Sequence, residues 1–510
     1  MMSPTPIDEP NYIELKRRLQ EINDIQAASA VLDWDQATYM PSGGAIARGR
    51  QIGTLKKIAH EKFTDPAMGQ LLEALQPYEA SLPYNSIPAS LIRVTRKDYH
   101  HARQIPPKFT ARLSQHQATT YGAWAQARST ETFRTVQPYL EKTLELSQEL
   151  AHYFTGWEHI ADPLIDQYDE GMTVSTVRSL FTPLRKQLIP MVEAITAAPE
   201  IDDTCLHQFY PEAEQLSFGQ CVIFRLGYDF NRGRQDKTLH PFMTKFSLGD
   251  VRITTRVNEQ DIGEALFSTI HEAGHAMYEQ GINPELEGTP LANGVSAGVH
   301  ESQSRLWENL VSRSRGFWEW FYPQLQGTFI RQLRQTSSHH FYRAINKVKP
   351  SLIRTEADEV TYNLHVMIRF DLELALLEGK LAVKDLPEAW NDRYKTDLGV
   401  VPSNDTEGVL QDVHWYFGTI GGMFQGYTLG NLMAAQFYQT AILQDPEIPF
   451  EIERGKFQRL YQWLQDNIYY SGRQYTPNEL IERVTGQPLQ MEPLIQYIQQ
   501  KYGYLYQIEL

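Results

Sequence analysis

The sequence predicts a mainly α fold, one large helical body carrying a small β-sheet. Three observations lead there. Apolar residues recur at three- and four-residue steps through most of the chain, one segment alternates at period two, and no linker is long enough to split the 510 residues into separate domains. A hydrophobic share of 42% against a charged share of 21% keeps the chain clear of the composition that prevents folding.

Taken in order, Leu15, Leu19 and Ile22 mark one face of a first helix, and Leu140 with Leu144 does the same further on. The stretch "PEIDDT" around Pro199 reads as a surface loop. In "DVRITTRV", Val251, Ile253, Thr255 and Val257 alternate with Arg252, Thr254 and Arg256, which predicts a strand. Asp261 and Glu264 make a capping box, and Gly281 a stop, around a helix from Ile262 to Gln280. Leu306 and Leu310 extend another helix out of "HESQSRLWENL", and Leu364 with Ile368 marks a further one. The apolar run from Tyr416 to Leu443 is interrupted by Gln425, Asn431 and Gln436, so it reads as a buried helix and not as a membrane span. Thr476, Pro477 and Glu479 form a cap, a first-position proline and a capping-box partner, with Gly486 closing the helix.

Charge and cysteine content exclude several classes. Lys and Arg number 47 against 62 Asp and Glu, a net charge of −15, and no basic block is present to neutralise a phosphate backbone. Nucleic acid is not an expected partner, and neither is a membrane. The opening "MMSPTPIDEPNY" lacks the basic and apolar regions of a secretory leader. Cys205 and Cys221 are too few for a disulfide framework or a thiolate cage, so a reducing, cytoplasmic setting is expected.

The stretch "FSTIHEAGHAMYEQG" carries the chemistry. On a helix, His271 and His275 project from one face about a turn apart, so two imidazoles can take adjacent corners of a metal tetrahedron. Glu272 is offset around the helix, beside such a metal, where it can deprotonate the water that the metal activates. The competing reading is a pair of histidines four apart by chance. A catalytic site of this kind takes three protein ligands and keeps the fourth position open. Glu301 follows His275 by 26 residues (301 − 275) across a loop rich in Gly, Pro and Asn and is modestly favoured as the third ligand, with His300 beside it as the competitor, since either side chain could complete the set.

Several spaced motifs resemble the carboxypeptidase Taq family of zinc metallocarboxypeptidases, M32. They are His240-Pro241-Phe242, Asp250-x-Arg252-x-Thr254, His271-Glu272-x-x-His275, His300-Glu301-x-Gln303, Ile353-Arg354-x-x-Ala357-Asp358 and Gly408-x-x-Gln411-Asp412-x-His414-Trp415. The segment "LDWDQATYMPSGGA" from Leu32 to Ala45 is similar to the family's N-terminal region. The resemblance implies one metallocarboxypeptidase domain over residues 1–510, a zincin-like helical body with a deep active-site groove to which residues 1–150 or so contribute. It further implies a homodimer, removal of single residues from peptides with a free C-terminus, and zinc as cofactor with cobalt as the alternative. It points to Glu301 as the third ligand.

Further roles are expected beside that resemblance. The strand Asp250 to Thr254 could pair with a peptide backbone, so Asp250, Arg252 and Thr254 are candidate substrate contacts; the rival is an ordinary sheet strand. A free C-terminal carboxylate needs a bidentate arginine, and Arg354 is the candidate, with Arg252 and Arg305 as rivals. A helical salt bridge from Arg354 to Asp358 is the structural alternative. His414 precedes the glycine-rich "FGTIGGMFQGYTLG" and Tyr427 lies within it, and either could donate a hydrogen bond to a developing oxyanion, against packing roles for both. An endo-oligopeptidase and a non-enzymatic helical scaffold are the competing functions.

Overall fold

Leu15, Leu19 and Ile22 are buried along one face of the opening helix, Pro10–Thr38, as their spacing requires. The computed structural model describes residues 9–510, and helices follow one another through almost all of them. Two apolar clusters hold them together. A small one joins the first helices to Leu248, Ile282, Leu286 and Leu291, and a far larger one runs from Phe109 to Tyr506. No helix of the described residues is long and apolar enough to cross a membrane, and Cys205 and Cys221 are both free thiols.

Local chemistry explains where the decisive helix begins and ends. Asp261 accepts from the backbone N–H of Gly263 and Glu264 and starts the helix Ile262–Gln280, hereafter the histidine helix. The expected capping box is only half made, because Glu264 instead takes a hydrogen bond from Arg256 Nε at 2.6 Å. Gly281 ends the helix in ordinary right-handed geometry; its lack of a side chain serves packing, since a Cβ there would lie 2.6 Å from the ring of Tyr469. The Thr476 capping box is complete, and Gly486 closes its helix with φ of 74°.

The predicted strand exists, but not as a free edge. Strands β1 (Gln235–Lys237), β2 (Met243–Ser247) and β3 (Asp250–Thr255) form one sheet in the order β1-β3-β2. Strand β3 lies in the middle, parallel to β1 with Ile253 opposite Gln235, and antiparallel to β2 with Ile253 opposite Met243. Both of its backbone edges are therefore occupied, and the expected pairing of a peptide with Asp250 to Thr254 is not available.

Two further expectations change. The run from Tyr416 to Leu443 is not one helix: a short helix, His414–Phe417, is followed by turns in which Gly421 takes φ of 92°, and the long helix spans Gly426–Gln444. The helix starting at Ala297 is α-helical to Arg305 and continues through Leu306–Val311 in the wider π form, a feature that recurs at functional sites.

Candidate active site

Three helices meet with very little space between them. A Cβ on Gly274 of the histidine helix would come within 2.7 Å of Ser304 Cα and 2.8 Å of Gln303 O. A Cβ on Gly430 of the helix Gly426–Gln444 would lie 2.7 Å from both Cβ and Cγ of Glu301. Bare backbone at these two positions lets the histidine helix, the helix Ala297–Arg305 and the helix Gly426–Gln444 pack almost in contact. Adding one methyl group should therefore cost about 1–3 kcal/mol of stability at either position, seen as a lower urea midpoint. Gly430→Ala should also weaken metal binding, because it displaces Glu301, whereas an unchanged midpoint and affinity would show that the helices separate freely.

That packing brings His271, His275 and Glu301 together with one ligand atom of each within 4.8 Å of the others. Glu301 Oε2 lies 3.7 Å from His271 Nε2 and 3.5 Å from His275 Nε2. Ligand atoms about 2.0–2.1 Å from a tetrahedral metal stand roughly 3.3 Å apart, so these spacings fit such an ion with little adjustment. The remaining ring nitrogens are engaged elsewhere. His271 Nδ1 meets Glu308 Oε2 at 2.9 Å, and His275 Nδ1 meets His300 Nδ1 at 2.6 Å, which leaves both Nε2 atoms facing Glu301. The donor set and its orientation fit a zinc-type ion.

His300 is thereby removed from the ligand set, since its other nitrogen, Nε2, is 2.9 Å from Glu279 Oε1. Glu308 is a partner that the sequence alone does not reveal. It lies in the π-helical stretch and also receives Arg305 Nη1 at 3.0 Å. Arg305 braces both carboxylates, with Nε donating to Glu301 Oε1 at 2.7 Å, while its Nη2 donates to no group among the described residues, so it keeps hydrogens for a further acceptor and remains a rival to Arg354.

The electrostatics follow from burial and these pairings. Glu272 is buried, and its carboxyl meets no hydrogen-bond donor among the described residues; burial raises its pKa to about 7, the value a proton-transferring carboxylate needs at neutral pH. Burial pushes His275 down to about 4, toward the neutral, metal-binding form. Burial works against ionisation of Glu308 too, but Arg305 and His271 prevail and hold it at about 2. The same opposition resolves in favour of the charged form at Glu301, where Arg305 and His271 hold the carboxylate below its usual range.

A cavity of about 680 Å³ opens onto this group. His271 and Glu272 line it from one side, Arg354 and His414 from another, and Trp124 and Arg128 of the helix Pro107–Ser129 from the N-terminal region. Arg354 is buried in a short 3-10 turn, Arg354–Glu356. Its partner is Asp412, 58 residues on: Nε reaches both carboxylate oxygens at 3.1 and 3.2 Å, and Nη2 reaches Oδ1 at 2.9 Å. Nη1 donates to Tyr362 Oη at 2.9 Å. Each terminal nitrogen keeps a second hydrogen, so the fork is braced but not exhausted. The alternative salt bridge to Asp358 does not form, because Asp358 accepts from the backbone of Lys349, Val360 and Thr361.

His414 and Tyr427 are brought together, with His414 Nε2 and Tyr427 Oη 3.2 Å apart. Asp412 Oδ1 lies 3.6 Å from His414 Nδ1, which favours the proton on Nδ1 and leaves Nε2 to accept from Tyr427. Burial lowers the pKa of His414 and raises that of Tyr427, so both are held neutral.

Asp250 and Arg252 are not among the residues lining this cavity. They pair with each other at 2.8 Å, and Arg252 stacks on Trp34 and Phe246 at 4.5 and 4.9 Å. Thr254 has a different connection. Its hydroxyl accepts from Phe242 N at 2.8 Å and donates to Phe242 O at 3.0 Å, which fixes the segment whose His240 and Pro241 line the cavity.

Residues 14–502 match the family model described as carboxypeptidase Taq (M32) metallopeptidase. Thermostable carboxypeptidase 1 of Thermus thermophilus is 40% identical over 506 residues, covering 97% of this chain and 98% of the relative. Carboxypeptidase 1 of Bacillus subtilis is 37% identical, with 98% of each chain covered. Among solved structures, an M32 carboxypeptidase from Deinococcus radiodurans R1 superposes with a TM-score of 0.96 at 48% identity, covering 98% of this chain and all of that one (100%).

Proposed function

The chain belongs to the carboxypeptidase Taq (M32) metallopeptidase family, and on that premise we propose that it trims peptides from a free C-terminus, using His271, His275 and Glu301 to hold zinc, with cobalt as an alternative. The observation that carries this reading is the shared cavity, in which the His-Glu-x-x-His helix and the Arg354 fork face the same space. A divalent cation at the three ligands supplies Lewis-acid polarisation of the scissile carbonyl and lowers the pKa of a water.

The protein's own groups do the rest. Glu272 takes the proton from the attacking water and delivers it to the leaving nitrogen as the C–N bond breaks. Tyr427 turns its O–H from His414 toward the oxyanion, with His414 holding the phenol in place, an interaction type typically worth a few kcal/mol in the transition state. The unspent hydrogens of Arg354 receive the substrate's terminal carboxylate. For Asp250, Arg252 and Thr254 we propose a supporting task, holding the strand and the His240–Phe242 segment against the cavity wall. One domain with its N-terminal helices forming part of the groove is supported by Trp124 and Arg128 in the cavity lining. A homodimer is the proposed assembly, to be checked by sedimentation equilibrium.

The reading is tested with one peptide in free-acid and C-terminally amidated forms, digested by the zinc-loaded protein and followed by mass spectrometry. Single-residue trimming confined to the free acid is expected, with at least a hundredfold difference in rate if two charge-assisted hydrogen bonds are lost. Internal fragments from both peptides would overturn it.

A further inference from the structure

We propose that His300, Glu279 and Lys245 form a buried hydrogen-bonded support for His275 that fixes its tautomer and ring plane, making His300 a positioning residue behind the metal site. The inference rests on the reading of His271, His275 and Glu301 as metal ligands.

The direction of the hydrogen bonds follows from their chemistry. If His275 Nε2 faces the metal, its proton must sit on Nδ1, and the 2.6 Å contact then makes His275 the donor and His300 Nδ1 the acceptor. His300 must then carry its proton on Nε2, and that N–H points at Glu279 Oε1, 2.9 Å away. Glu279 Oε1 also accepts from Gly294 N at 3.1 Å, and Oε2 accepts from Lys245 Nζ at 2.6 Å. Lys245 spends its other hydrogens on Ala292 O and on Asn293 Oδ1, the latter at 2.9 Å, so the far end of the chain has no freedom to reverse. Burial opposes the charge on Glu279, yet Lys245 and His300 hold its pKa down to about 2. The two ligand histidines are thus supported differently: a carboxylate touches His271 directly, whereas a neutral imidazole stands between His275 and its carboxylate.

Space is arranged to match. Tyr278 and His275 flank the His300 ring, with centroids 5.1 and 4.7 Å away. A Cβ on Gly294 would stand 2.6 Å from His300 Cδ2 and 3.0 Å from Tyr278 Cε1, so only glycine there leaves the ring in place. These elements come from three places, β2, the histidine helix and the helix Ala297–Arg305, and nothing in their local folding demands that they converge on one ring nitrogen.

The test is metal affinity, measured by Zn2+ titration against a chelator with the full chain. His300→Phe keeps a ring but removes both nitrogens, and binding is expected to weaken about 10–100-fold. Gln can accept from His275 and donate to Glu279, so His300→Gln should bind within a few-fold of the parent. Melting in excess chelator separates positioning from folding. Equal affinity in parent and His300→Phe would overturn the proposal. So would equal weakening in the Phe and Gln variants that follows an equal loss of Tm in chelator. Failure of the ligand assignment looks different: Glu301→Ala would then bind zinc as tightly as the parent protein does.

Discussion

Glu272→Gln should retain stoichiometric zinc while kcat falls by about 10²–10⁴ or more, the range spanned by loss of a positioned acid-base group. Gln preserves the shape and occupies the same buried space, and Glu272 makes no hydrogen bond among the described residues that the amide would break. Stability should therefore barely move. The carboxylate is next to His271 in sequence but is not one of the three converging ligands, which is why metal and turnover are expected to separate in this variant. His271→Ala and Glu301→Ala should lose both together, with zinc affinity falling by well over a hundredfold as the tetrahedron loses a corner. Metal analysis of the dialysed proteins and single-turnover kinetics on a free-acid peptide check the two halves. Normal turnover in Glu272→Gln would leave the water without its base and refute the mechanism.

How much of this was legible in the sequence depended on distance along the chain. The histidine helix could be bounded at Ile262 and Gln280 because capping at Asp261 and the stop at Gly281 act within a turn. His271, Glu272 and His275 follow from helical geometry alone. Period-two alternation likewise marks a strand in "DVRITTRV", which the structure ends at Thr255, two residues before the alternation stops at Val257, but says nothing about neighbours; β1 is three residues long and β2 starts just after a proline, so the sheet that buries β3 gave no comparable signal. The break between Phe417 and Gly426 was available in principle, since Gly421 and Gly422 interrupt an otherwise helical run. The partners of the site were not legible. Asp412 for Arg354, Glu308 for His271 and the Lys245 end of the His300 chain are set by how distant segments meet, which no local period encodes. His300 shows the limit well. Spacing left it as a competitor of Glu301, the family resemblance pointed to Glu301, and the engagement of both His300 ring nitrogens supports the same choice.

Arg354→Lys should lower kcat/KM for free-acid peptides by about a hundredfold or more and bring it toward the rate for the amidated peptide. The reason lies in what lysine keeps and what it loses. An ammonium group retains the charge opposite Asp412, so the buried carboxylate is not abandoned, but it cannot face Asp412 and a substrate carboxylate at once with parallel N–H bonds. Loss of even one charge-assisted hydrogen bond is worth about 1.5–3 kcal/mol, and misplacement of the terminal residue also misaligns the scissile bond. Arg354→Ala is the poorer test. It leaves Asp412 with only the more distant Arg369 Nη1 at 3.8 Å and His414 Nδ1 at 3.6 Å, and breaking such a buried pair costs about 3–5 kcal/mol. A drop in its activity would then mix unfolding with lost recognition, which a parallel denaturation curve must separate. Zinc content should stay intact in the Lys variant, because none of the Arg354 hydrogen bonds reaches His271, His275 or Glu301. Parent-like kcat/KM in Arg354→Lys would make Arg354 an anchor for Asp412 and nothing more. Attention would then pass to Arg305, which lines the same cavity and keeps Nη2 without an acceptor among the described residues, and to Arg128, which is exposed, lines the cavity and forms no ion pair among the described residues, whereas Arg252 lies off the cavity.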